Sequence, residues 1–321
     1  MPMLKKGLSL VTNLVRERFG TPHKLRPFLD ENARKLQVSL DAVPGPIAAA
    51  SMPRWHEWGE ALRSGSVAFK AGELLGWRTQ RNFGYHSYRV VLPELARFGS
   101  CIRLPDWRCD IQDVEGLQAS KAELARYDSL DALALQGSPQ LVDEISSARL
   151  NTLLARREIR TLRRQQSSDH FARFLWDGRV FLINSGASRQ FAAARLVAAR
   201  LGQKVPLCGE LRVYSIEPPA VNNLRRDFEL FAVSCRDVVA NVRFHEALRG
   251  SRIPYLSKRM PAPGTDAEVI FLPRADRRSM AAAAELRAAG YPDVGKLLSA
   301  LLLRQHMNSV RLGQGPQAEA A

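Results

Sequence analysis

The sequence predicts an α+β fold, a mixed sheet with helices packed on it, preceded by a helical and aromatic-rich extension. Three observations predict it. Between residues 169 and 216, short apolar runs alternate with a tight-turn dipeptide and one helix-length segment. Glycines stand just past the ends of helix-like stretches, as at Gly202 and Gly290. The chain has 321 residues, 45% hydrophobic and 25% charged, a globular balance with enough length for one large core or two. The division drawn from this is an extension over 1–168, an α+β core over 169–312 and a disordered tail over 313–321. The tail holds only Gly, Gln, Pro, Ala and Glu and has nothing to bury.

The extension opens with Leu8, Val11, Val15 and Phe19 on one helical face. That amphipathic helix is expected to dock on the protein or on a protein partner. Arg26 to Leu40 reads as a second helix, and Val43-Pro44-Gly45-Pro46 as a turn, since two prolines and a glycine block helix and central strand alike. Aromatics then interleave with arginine and glycine from Trp55 to Trp107. Base stacking is one reading of that pattern, and a half-buried sheet with its turns is the favoured one. Tyr88 to Leu92 is a strand, with another at Phe69. Ser120–Leu133 and Pro139–Arg164 read as helices. The second carries a basic cluster, Arg156, Arg157, Arg160, Arg163 and Arg164, which is either a solvated face or a nucleic-acid contact.

Patterning sharpens from residue 169. His170–Trp176 is a strand, Asp177-Gly178 a hairpin turn, and Val180–Ile183 the return strand. Arg189–Leu201 is a helix closed by Gly202, and Val205-Pro206 opens a strand continued by Leu211–Ile216. Phe228, Phe231, Ala232, Cys235, Val238, Val239 and Val242 fall at helical spacing, so 228–242 is expected to be a helix with Cys235 as a core thiol. Glu268–Leu272 is a strand. Arg277–Ala289 is a helix ended by Gly290, and a last helix runs to about Asn308.

The formal charge is +15 and the pI about 10.2, which favours acidic partners. Of the 47 basic residues 38 are arginine, a bias that genome composition also produces, so charge alone does not decide. Cys101, Cys109, Cys208 and Cys235 form no C-x-x-C pair and are expected as reduced thiols of a cytoplasmic protein. No apolar run reaches the roughly 18 residues of a membrane span. The six histidines form no metal-binding i, i+4 pair, and neither metal nor cofactor is expected.

The segment that carries chemistry is Phe181–Arg195. A strand ends, a loop with Gly186 follows, and a helix begins. First-turn amides of a helix lack partners and bear partial positive charge. Ser185 and Ser188 bring hydroxyls, Gly186 a close backbone approach and an unusual φ, and Arg189 a fixed cation. These four are the expected phosphate-binding residues.

Gly186, Arg189, Ala192 and Ala193, followed by Gly202 and Val205-Pro206, make residues 171–216 resemble the ParB/sulfiredoxin-like fold. There a box of this kind opens a helix over a nucleotide phosphate. The sequence departs from that pattern where chemistry would occur. Ala187 stands where sulfiredoxins have the catalytic Cys and ParB-type nucleotidases a Glu, and Ser188 stands where His or Arg is usual. The resemblance therefore implies binding without sulfur chemistry. The whole chain also resembles an uncharacterised family of basic bacterial and phage proteins. The expected function is a phosphate-ligand binder, for nucleotide or nucleic acid, without catalysis. The alternatives are a nucleotide-hydrolysing or phosphoryl-transfer enzyme drawing on Glu210, and a phage-associated interaction protein working through its N-terminal helix.

Overall fold

The computed structural model describes residues 22–40, 47–64, 67–118, 123–163, 168–264 and 266–313. The N-terminal amphipathic helix, the 43–46 turn, Arg164 and the tail beyond Gly313 lie outside them. Of Arg160 and Arg163 only the backbone is described.

In chain order the strands are β1 Leu62–Ser64, β2 Val67–Phe69, β3 Glu73–Gln80, β4 Gly84–Val91, β5 Gly99–Asp110, β6 Val114–Leu117, β7 His170–Phe174, β8 Val180–Ile183, β9 Pro206–Ile216, β10 Phe228–Ser234, β11 Tyr255–Arg259 and β12 Ala267–Pro273. The helices are α1 Leu25–Leu36, α2 Pro93–Ala96, α3 Leu130–Gly137, α4 Ser147–Leu154, α5 Arg157–Arg163, α6 Ser188–Leu201, α7 Pro218–Asp227, α8 Val238–Gly250, α9 Arg277–Ala288 and α10 Val294–Gly313. They form an α+β protein with two five-stranded sheets.

The chain divides into two compact units, each built from three stretches. One comprises Met1–Asp41, Glu57–Phe98 and Glu217–Ala300; the other Ala42–His56, Gly99–Ile216 and Leu301–Ala321. The boundary drawn at 168 falls inside the second unit, because β5 and β6 belong to the same sheet as β7 to β9.

The first unit holds an antiparallel sheet ordered β10-β12-β11-β3-β4. Its core gathers Leu25, Leu29, Phe231, Val233, Phe244, Leu248, Ile270, Leu272 and Leu286, from α1, α8, α9 and the sheet. The expected helix over 228–242 is corrected here. Residues 228–234 form a strand, paired from Phe228↔Pro273 to Ser234↔Ala267. Every residue from Glu229 to Ser234 is buried. A strand covered on both faces is apolar without alternation, and its Phe and Ala happened to fall at helical spacing. The helix starts only after Asp237, whose side chain accepts from the Ala240 amide. Val238, Val239 and Val242 are 68%, 64% and 47% exposed rather than lining a core stripe.

The second unit holds a mixed sheet ordered β5-β9-β7-β8-β6. The β7–β8 hairpin, the Asp177-Gly178 turn with Gly178 at φ 95°, α6, its closing Gly202 at φ 64° and β9 all stand where the sequence places them. Helices α3 and α4 pack on α6, and α5 on β9. The single helix expected over 139–164 is corrected to a 3-10 turn at Pro139–Leu141 and two short helices, α4 and α5. Ser146 caps α4 by accepting from the Arg149 amide at 3.1 Å. The helix expected over 120–133 is a 3-10 turn at Leu124–Arg126, then α3 behind its Ser129 cap. The long strand β5 had no sequence signal. It pairs with β9 through a register shift between Leu104 and Trp107, where Pro105 sits.

Candidate functional site

The loop after β8 is tied inward by Asn184, which is 5% exposed. Its Nδ2 donates to the Gly186 carbonyl at 2.6 Å and to Ser188 Oγ at 2.8 Å, while its Oδ1 accepts from the Gln118 amide at 3.2 Å. The Ser185 amide donates to Asp169 Oδ1 at 3.1 Å, so the start of β7 and the loop share one rim of the sheet. Ser188, 3% exposed, is therefore turned inward by Asn184, whereas Ser185 stands exposed.

The unusual backbone expected at Gly186 sits one residue later. Ala187 precedes α6 at φ 60°, ψ 23°, a left-handed conformation that costs a non-glycine residue about 1 kcal/mol. A Cβ at Gly186 would meet nothing closer than Glu158 Oε1 at 3.9 Å, so space does not demand glycine there. Ala187 has no side chain with which to cap the helix. The first amide to find an i−4 carbonyl is that of Phe191, bonded to Ala187 O at 2.8 Å. Among the described residues no acceptor meets the amides of Ser188, Arg189 and Gln190. Arg189 is half-buried; its Nε is buried and, among the described residues, has no hydrogen-bond partner.

Two sets of basic residues flank this rim. On one side the first turn of α5 lies beside the loop, as the closeness of Glu158 to Gly186 requires. Arg156 and Arg157 are exposed there, while Ile159 and Leu162 are buried. Arg149 is used internally, donating to the carbonyls of Leu141 and Gln140 and pairing with Asp143. On the other side, on the sheet face away from α6 and running inward from the rim, stand His170 on β7, Glu210 and Arg212 on β9, and Arg103 on β5, with Arg212 opposite Ala172. Burial and the Arg212 and Arg103 charges hold His170 below the ordinary imidazole range, against the opposite pull of Glu210 and Asp169. The Arg212 hydrogen bond holds Glu210 below the ordinary carboxylate range.

A second polar cluster, in the first unit, escaped the sequence reading. His245 Nε2 lies 2.7 Å from Glu268 Oε1, and His245 Nδ1 lies 2.9 Å from Tyr255 Oη. Asn241 Nδ2 donates to Glu268 Oε1 at 2.7 Å and approaches Cys235 Sγ at 3.7 Å. A cysteine, a histidine and a carboxylate suggest nucleophilic catalysis. The electrostatics oppose it: burial and Glu268 push the Cys235 thiol up to about 12, and a protonated thiol is no nucleophile. The cluster clamps α8 onto β11 and β12. Cys235 is half-buried within it rather than a core thiol. The available signal was Asn241 and His245 at i, i+4, one helical face.

A cleft of about 940 Å³ lies at the C-terminal end of α6. Its carboxylates hold turns together: Asp110 accepts from the Gln112 and Val205 amides, and Asp113 from the Asp110 amide. Among the described residues no group of three or more His, Cys, Asp or Glu is placed to hold a metal ion, and no helix is long and apolar enough to cross a membrane.

No curated protein and no solved structure matches the chain. Residues 104–311 match the model of a family described as "Family of unknown function (DUF6685)". That stretch contains the rim at α6, its flanking arginines apart from Arg103, and the His245–Glu268 clamp, and by it the chain belongs to this family of unknown function.

Proposed function

We propose that the rim at the start of α6 binds a phosphate group of a nucleotide or nucleic acid and performs no covalent chemistry on it. One observation carries the reading: three first-turn amides that meet no acceptor among the described residues stand at a helix start whose second residue, Arg189, has a buried Nε with no partner among them. Amides at a helix start and a guanidinium suit a phosphate oxygen cluster. The resemblance of residues 171–216 to the ParB/sulfiredoxin-like fold supports the same ligand class. So does the net charge of +15. Glu210, the carboxylate that a hydrolytic reading would draw on, is paired with Arg212 and held in its weakly basic state, which makes it a poor proton acceptor.

Calorimetric titration with ATP tests the proposal. Arg189→Ala is expected to lose about 1.5–3 kcal/mol of binding, the worth of a hydrogen bond to a charged group. Glu158→Gln is expected to gain about 0.3–1 kcal/mol, because it removes a negative charge beside a helix N-terminus. Equal affinities in all three proteins would overturn the reading.

A further inference from the structure

Several aromatics of the stretch from Trp55 to Trp107 are core: Trp55, Trp58 and Phe98 are buried. The β3–β4 hairpin holds a different set. Arg78 pairs directly with His86, and Gly76 with Tyr88, so these four residues share one face of the hairpin. A Cβ at Gly76 would stand 2.9 Å from Tyr88 Cε1, so the bare glycine lets that ring lie across the neighbouring strand. The Arg78 guanidinium sits over the Tyr88 ring, 4.2 Å from its centroid. The hairpin closes at Gln80↔Gly84 through Arg81, Asn82 and Phe83, with Gly84 at φ 67°. Phe83 is 71% exposed, and its ring meets that of His86 edge-on, with centroids 6.2 Å apart. Tyr88, Arg78, His86 and Phe83 thus form a continuous strip of planar groups running out to the tip. Trp77 and Tyr85 lie on the other face, stacked on each other, with Trp77 packed on the core of this unit.

Charge and spacing decide what such a strip would hold. No Asp or Glu occurs from Leu74 to Pro93, a stretch that carries three arginines. Arg89 is paired with Glu73. Arg78 and Arg81 are exposed and, among the described residues, have no carboxylate partner. Cationic groups beside a row of open rings suit an anion that also offers flat apolar faces. A nucleic-acid strand is such an anion, and it must be single, because in a duplex the base faces are already stacked on one another. From the Gln80–Gly84 pair to the Gly76–Tyr88 pair the strip measures about 14 Å, at about 3.4 Å per residue. That is room for about four nucleotides at the about 3.4 Å rise of a stacked strand. A lipid surface would draw on a broad apolar face, and here only Phe83 is both fully apolar and exposed.

We propose that this face of the β3–β4 hairpin binds single-stranded nucleic acid, its bases stacking on Phe83 and the planar groups behind it and its phosphates meeting Arg78 and Arg81. The proposal stands independently of the phosphate reading of the α6 rim.

The experiment follows, by fluorescence anisotropy, a labelled short oligothymidylate and a labelled abasic strand of the same length, which keeps the phosphates and lacks the bases. It uses the full chain as wild type, Phe83→Ala, Phe83→Trp and Arg78→Ala, with thermal unfolding of each to establish that it is folded. Wild type binds the oligothymidylate at least about fivefold more tightly than the abasic strand. Phe83→Ala weakens the oligothymidylate by about fivefold or more, the loss of one base–aromatic stack, and Phe83→Trp restores it. Arg78→Ala weakens both strands and lowers the salt slope of each by about 0.7, the value for one lost single-strand phosphate contact. Because the readout is the preference for bases, phosphate binding at the α6 rim does not affect it. Equal affinity of wild type for the two strands overturns the proposal, as does a preference that Phe83→Ala leaves intact. Binding to phosphatidylserine vesicles that Phe83→Ala abolishes, with oligothymidylate affinity unchanged, overturns it in favour of a membrane contact.

Discussion

Ala187 holds a backbone conformation that glycine adopts freely, and it does so at the one position that aims the first turn of α6. Ala187→Gly should therefore raise the unfolding free energy by about 0.5–1 kcal/mol, the relief of left-handed strain less the added chain entropy, in denaturant unfolding. Glu268 makes a different residue-scale prediction. Burial pushes its carboxyl up, but the hydrogen bond and charge of His245 and the Asn241 amide outweigh burial and hold it below 4.5. A carboxylate whose folded pKa is depressed contributes stability that is complete above its unfolded value and fades as pH falls through the folded one. Glu268→Gln should thus cost about 1–3 kcal/mol at pH 7, and this penalty should shrink as pH falls below about 4.5. A penalty that stays constant with pH would contradict the assignment. At this scale the loop between the end of β8 and the start of α6 was legible, because a strand end, a loop glycine and a helix start are neighbours in sequence, but the left-handed backbone at Ala187 and the inward turn of Ser188 were not. Nor were Asp169 and Gln118, whose hydrogen bonds to Ser185 and Asn184 tie the loop down. They reach it through tertiary folding, which no local spacing encodes.

Elements were legible where their punctuation is local. Asp177-Gly178, Gly202 and Gly290 each mark a reversal that glycine serves with positive φ, and the elements they bound appeared as read. Reading failed where burial rather than local preference decides. Strand β10 is buried on both faces, so its apolar run lost the alternation that marks a strand. Strand β5 is an edge with six consecutive exposed residues, Cys101 to Asp106, and its sequence shows no apolar face. Mutation separates the helical stripe from the strand that replaced it. On a shared buried helical face Phe231 and Val239 would both be costly to truncate. Here Phe231→Ala should cost about 3–5 kcal/mol and Val239→Ala less than about 0.5 kcal/mol in chemical denaturation. Asp237→Ala, which removes the cap that starts α8 after the strand, should cost about 1 kcal/mol.

For the whole molecule, composition foretold an α+β globular chain but not how it is apportioned. Each unit draws on three separated stretches, since long-range strand pairing, not sequence proximity, defines the sheets. A fragment of residues 169–312 keeps β7, β8 and β9 but loses β5 and β6, and in the other sheet keeps β10, β11 and β12 but loses β3 and β4. It is expected to show no cooperative thermal transition, with circular dichroism as the readout. A sharp transition would mean that the early strands are dispensable.

The pairing of β5 with β9 has a consequence for synthesis. Gly99 must wait for its partner Ile216, which leaves the ribosome more than a hundred residues later. At about 5–20 residues per second, the nascent chain carries Ile102 and Leu104 on an unmatched strand for roughly 6–23 seconds. During that interval a chaperone or a neighbouring nascent chain can claim the strand. The proline within it, which has no amide hydrogen to offer, makes that capture less favourable.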